Sequence, residues 1–90
     1  MLAADINPLY QGLDYIPSWF LHHSKIESFA IPSHIKNIQN YAFYECERLT
    51  NIEIPNNVTC IGTCAFFYCT NLTDIIIGKS VTSIGEYAFS

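Results

Sequence analysis

IPNNVTCIGTCAFFYCTNLTDII, residues 54–76, decides the fold because it recurs. IPSHIKNIQNYAFYECERLTNIE, residues 31–53, precedes it directly, and the two agree at nine of 23 positions. A third copy opens at Ile77-Gly78 and runs to Ser90. The agreement is almost all apolar. Ile31, Ile54 and Ile77 match, as do Ile35, Val58 and Val81, and Ile38, Ile61 and Ile84. Ala42-Phe43 returns as Ala65-Phe66 and Ala88-Phe89, Cys46 as Cys69, Leu49 as Leu72 and Ile52 as Ile75. The polar residues between them vary. Fixed inward and free outward positions are the mark of stacked coils, in which each side chain packs on its own copy one coil away.

The register also runs backwards. Ile26, Phe29 and Ile31 stand 23 residues before Leu49, Ile52 and Ile54. The same spacing sets Phe20 against Phe43 and His23 against Cys46. Residues 19–30 therefore read as a degenerate coil, 31–53 and 54–76 as full coils and 77–90 as a partial one. Residues 1–18 read as an N-terminal cap over the first apolar edge. Within a coil, Leu49-x-x-Ile52-x-Ile54 alternates at its end and reads as a strand closed by Pro55, which cannot donate to a ladder. Its counterparts are 26–31 and 72–77. Val58-x-x-Ile61-Gly62 reads as a second short extended piece ending at a turn glycine. Ala65-Phe66-x-x-Cys69 has apolar positions three and four apart and predicts one helical turn. Each coil is thus strand, turn, short strand, helical turn.

The unit Ile-Pro-x-x-Val-x-x-Ile-Gly-x-x-Ala-Phe-x-x-Cys-x-x-Leu-x-x-Ile-x resembles the BspA-type leucine-rich repeat family over about residues 20–90. The resemblance implies a curved right-handed leucine-rich repeat solenoid of short α/β-type coils, mostly β, with a sheet on its concave side. It also implies binding of proteins or surface ligands; many members are large, secreted and adhesive.

Composition narrows the function. Half of the 90 residues are apolar and 13% are charged, which excludes a disordered chain. The net charge is -4, and Lys25, Lys36, Arg48 and Lys79 are scattered. Nucleic-acid binding needs clustered cations to neutralise phosphates, so that class is set aside. No apolar stretch approaches the roughly 20 residues of a membrane span, and the N-terminus does not read as a secretory signal. The chain as given points to the cytoplasm, or to the cell surface or exterior if it is a fragment. No phosphate loop, paired-carboxylate site or zinc motif is present. No enzyme activity, cofactor or metal is expected.

The cysteines follow the repeat. Cys46 and Cys69 occupy its small apolar position and read as core, with a disulfide between them as the alternative. Cys60 and Cys64 fall outside the ladder. With Cys69 their spacing is not that of structural zinc.

Binding candidates fall in three places. Phe43, Phe66 and Phe89 are ladder residues. Tyr44, Phe67 and Tyr68 follow them and are not all needed inside. Tyr41 and Tyr87 share a repeat position with Cys64 between them and line one face. Aromatic residues near a surface are enriched at binding hot spots. The concave strand face offers Ser28 and Ala30, Asn51 and Glu53, then Asp74 and Ile76. Three strands span only about 10 Å, too little alone for about 800 Å² per partner. Such a site would recruit Tyr10, Tyr15 and Trp19, or the open end after Phe89, where an apolar coil edge invites association. Homodimerisation through that end is one expectation.

These features point to a non-catalytic protein-protein interaction module. A small intracellular inhibitor or adaptor is the first reading; phage or mobile-element proteins of bacteria share the short, acidic, single-domain profile. The alternative is a fragment of a larger secreted or surface-attached adhesin.

Overall fold

The computed structural model describes residues 12–90. Tyr10 and most of the expected cap lie outside them. Seven short strands follow one another: β1 (Tyr15–Ile16), β2 (Ser28–Ala30), β3 (Asn37–Ile38), β4 (Asn51–Ile54), β5 (Cys60–Ile61), β6 (Asp74–Ile77) and β7 (Ser83–Ile84). They form two parallel sheets, β1-β3-β5-β7 and β2-β4-β6. Ser28, Asn51 and Asp74 are in register, as are Asn37, Cys60 and Ser83, so one coil of 23 residues closes on the next. The result is a β-solenoid of about three turns. Ile38, Ile61, Ile52 and Ile54 point into it and are buried, while Asn51 and Glu53 alternate outward.

The expected α/β-type coil with helical turns is corrected: the described residues contain no helix. The Ala-Phe segments are chains of tight turns instead. Tyr41, Glu45, Cys64, Tyr68 and Tyr87 all have φ between 57° and 63°. A left-handed residue at every fourth position stops helix propagation. The backbone donors confirm the difference. Tyr41, Phe43 and Glu45 donate N–H to the carbonyls of Thr63, Ala65 and Phe67 in the next coil, while Ala42, Tyr44 and Cys46 donate three residues back. No N–H is left for the four-residue step of an α-helix. Apolar spacing of three and four reads the same for this turn chain as for a helix, so periodicity alone misleads here.

One further register changes. Leu21 donates N–H to Ala42 O as Phe43 does to Ala65 O, and Ser24 N–H bonds Leu21 O as Cys46 N–H bonds Phe43 O. Trp19 and His23 share the left-handed conformation of Tyr41 and Glu45. The equivalents of Phe43 and Cys46 are therefore Leu21 and Ser24, not Phe20 and His23. The first coil is one residue short. Lys25 alone spans the bend that Glu47 and Arg48 span later, and Ser24 Oγ accepts the Ile26 N–H at 3.3 Å. Upstream of that bend the spacing is 22: Tyr15 pairs with Asn37 and Ile16 with Ile38. Residues 12–18 thus carry a rung of the larger sheet.

Inside the coils Phe43 and Phe66 stack at 4.9 Å and Phe66 and Phe89 at 5.1 Å, nearly parallel. Such pairs add about 0.5–1.5 kcal/mol each beyond their burial. Cys46 and Cys69 form a second inner row. All four cysteines are free thiols. Cys46 Sγ donates to Leu21 O at 2.9 Å and Cys69 Sγ to Phe43 O at 3.2 Å. Each thiol thereby ties its coil to the carbonyl one coil back. The neighbouring Cys69 thiol and burial push the Cys46 thiol well above its usual range.

Candidate interaction surface

The turn chain sends pairs of neighbouring side chains inward and the residues on either side of them outward. Ala42, Phe43, Ala65 and Phe66 fill the interior, and the residues beside them form an aromatic rim along the solenoid. Trp19 and Tyr41, equivalent in successive coils, stack at 4.6 Å and 7°. Cys64 and Tyr87 continue that row. His22, Tyr44 and Phe67 make the next, and Tyr44 and Phe67 stack at 5.7 Å. His23, Glu45 and Tyr68 make the third; His23 Nδ1 and Glu45 Oε1 lie 2.8 Å apart. Tyr68 packs on Phe67 at 4.1 Å, and Tyr87 meets Phe67 edge to face at 6.1 Å. Five of the ten sequence candidates, Tyr41, Tyr44, Phe67, Tyr68 and Tyr87, come together on this rim. About half of Trp19 and Tyr68 and 62% of Tyr87 stay exposed. Partial burial and the adjoining Glu45 carboxylate hold the Tyr44 phenol above its ordinary range.

The backbone under the rim is costly. Trp19, Tyr41, Tyr68 and Tyr87 sit at positive φ, a conformation that glycine or asparagine adopts more cheaply. None of the described glycines has positive φ. The solenoid keeps large rings where its backbone favours small residues, and strain of this kind collects at functional sites.

The other candidates lie elsewhere. Asn51 pairs with Asp74 and Glu53 with Ile76 on the three-stranded sheet, all four exposed. Shallow hollows there are lined by Ser28, Ala30, Asn51 and Glu53, and by Ile31, Ser33 and Pro55. Phe89 belongs to the inner ladder, half-buried against Phe66. It joins an apolar edge with Ile75, Ile77 and Ile84, inward positions that no further coil covers among the described residues. Tyr15 is in β1 on the other sheet. Trp19, expected beside the strand face, is on the rim. His22, His23 and Glu45 were missed as rim residues. A spacing of 22 upstream of Lys25 would have found the first two.

Among the described residues no group of three or more His, Cys, Asp and Glu is placed to hold a metal, and no helix is long and apolar enough to cross a membrane. The family model described as BspA type Leucine rich repeat region (6 copies) matches residues 7–90. No curated protein and no solved structure matches the chain. The chain belongs to the BspA-type leucine-rich repeat family, and its solenoid is of a kind consistent with protein binding.

Proposed function

We propose that this member of the BspA-type leucine-rich repeat family is a non-catalytic protein-binding module within a larger secreted or surface-attached repeat protein. The observation that carries the binding reading is the aromatic rim, held on a left-handed backbone and half-exposed at Trp19, Tyr68 and Tyr87. Exposed aromatic clusters of this kind supply large contact area at low entropy cost and serve as hot spots. The wider setting is supported by β6 and β7, whose inward isoleucines Ile75, Ile77 and Ile84 are 38–51% exposed. A further coil would bury them as β4 and β5 bury Ile52, Ile54 and Ile61. Two copies meeting end to end would cover the same edge, and light scattering at micromolar concentration decides that point: a monomer rejects pairing.

The binding test is capture of partners from surface and secreted protein fractions, with two matched variants. One replaces Trp19, Tyr68 and Tyr87 by Ser; the other replaces Asn51, Glu53 and Asp74 by Ala. The proposal expects a reproducible partner that is lost with the first set. No partner with the unaltered protein, or loss only with the second set, contradicts it.

A further inference from the structure

Two histidines stand side by side at the first coil's end of the rim. Neighbouring side chains of an extended strand point to opposite faces. His23 is left-handed instead, at φ 59°, and its ring comes together with that of His22, centroids 5.3 Å apart and planes at 76°. Both residues are exposed, and both border an open hollow of about 510 Å³. Each imidazole already uses one nitrogen. His22 Nδ1 lies 2.6 Å from Trp19 O. A carbonyl oxygen only accepts, so His22 Nδ1 carries the proton. His23 Nδ1 lies 2.8 Å from Glu45 Oε1, and a carboxylate likewise accepts. In a neutral imidazole so bonded, Nε2 is a bare lone pair. Proteins orient metal-binding histidines in this way: the ring N–H is tied to a carbonyl or a carboxylate, which fixes the tautomer and raises the basicity of the other nitrogen.

We propose that His22 and His23 bind one divalent transition-metal ion of the nickel, zinc and copper class through their Nε2 atoms, with Trp19 O and Glu45 holding the rings. Among the described residues no third ligand stands beside the pair, so water or an outside donor fills the other positions. The spacing fits. A metal lies about 2.1 Å from an imidazole nitrogen and so about 3.2 Å from the ring centre. Two rings that meet one ion at 90–110° have centres about 4.5–5.2 Å apart. The observed 5.3 Å is within a small side-chain rotation of that range. Charge does not select the ion. Lys25 and Arg48 border His23 beside Glu45 and Glu47, and the four charges cancel. A hard cation such as magnesium or calcium, which takes oxygen ligands, gains little there. An ion that prefers imidazole nitrogen is held by the lone pairs.

Trp19, the sole tryptophan, meets the His22 ring edge to face at 5.4 Å, so a paramagnetic ion on His22 quenches its emission. The experiment titrates the full chain with nickel chloride. The chain carries Cys60→Ser, which removes the one exposed thiol. The proposal expects saturable quenching at one ion per chain, reversed by a chelator and by excess zinc, and none with magnesium or calcium at the same concentration. Affinity should fall about tenfold or more in His22→Gln and in His23→Gln, and about tenfold in Glu45→Gln. It should not change in His34→Gln, whose ring borders a separate hollow. Each variant should keep the circular dichroism of the unaltered chain. Lowering the pH from about 7.5 to about 5.5 should release the ion, as protons take the Nε2 positions. No saturable quenching, an equal response to magnesium, or full affinity in His22→Gln or His23→Gln would each overturn the proposal. The outcome is independent of partner capture through the rim.

Discussion

Gly62 shows how closely the coils approach. A Cβ built on it would lie 2.5 Å from the Asn40 backbone nitrogen and equally near its side-chain oxygen. Its φ is not positive; the residue is small because of the neighbouring coil, not because of a turn conformation. Gly62→Ala should therefore destabilise the chain by about 1–3 kcal/mol, the usual cost of forcing extra volume into a packed site, as read from urea unfolding. A loss below about 0.5 kcal/mol would mean that the coils are not held at this spacing. The thiols test the interior at the same scale. Cys46 is fully buried, Cys64 and Cys69 nearly so, and Cys60 is exposed on β5. A colorimetric disulfide reagent should label one thiol rapidly in the native protein, at Cys60, and the other three only on unfolding. Rapid labelling of Cys46, or a native mass two hydrogens light, would contradict the inner thiol row.

The bend and the turn chain carry the predictions at the scale of elements. The first coil lacks one residue at Lys25 without losing its strand pairing. Deleting Arg48 makes the same change in the next coil, so the fold should persist with a lowered urea midpoint. Deleting Glu53 instead makes Ile52 and Ile54 adjacent in β4 and turns one of the two outward, so that variant should not fold. In the turn chain, Tyr87 offers a test of the left-handed backbone. Tyr87→Gly should be more stable than Tyr87→Ala by about 1 kcal/mol, the reverse of the order in a helix. The opposite order would restore the helical turn. These two elements also mark how much could be read in advance. Inward positions from Ile26 to Phe89 were legible because apolar identity repeats every 23 residues. The turn chain was not, since its apolar spacing is that of a helix and its left-handed positions carry Trp, Tyr, Cys, Glu and His rather than glycine. The rim was half legible. Tyr41 and Tyr87 stood out by register, whereas Trp19 was hidden by the missing residue after Ser24. The inhibitor reading rested on size and charge alone, and no contact in the solenoid favours it or a phage origin.

Taken whole, the molecule is a one-dimensional ladder in which each coil is stabilised by its neighbours. Phe66, stacked on both sides, should be costlier to truncate than Phe89, stacked on one. Replacement by alanine should cost about 3–5 kcal/mol at Phe66 and clearly less at Phe89. The most direct test of the ladder is to lengthen it from within. A second copy of residues 54–76 inserted after Ile76 keeps every strand in register and extends both sheets by one strand. Urea unfolding should then show a higher midpoint and a steeper denaturant dependence, larger by roughly a quarter to a third, because one more coil is buried. An inserted coil that leaves the slope unchanged, or that unfolds the chain, would contradict the ladder and the family architecture built on it.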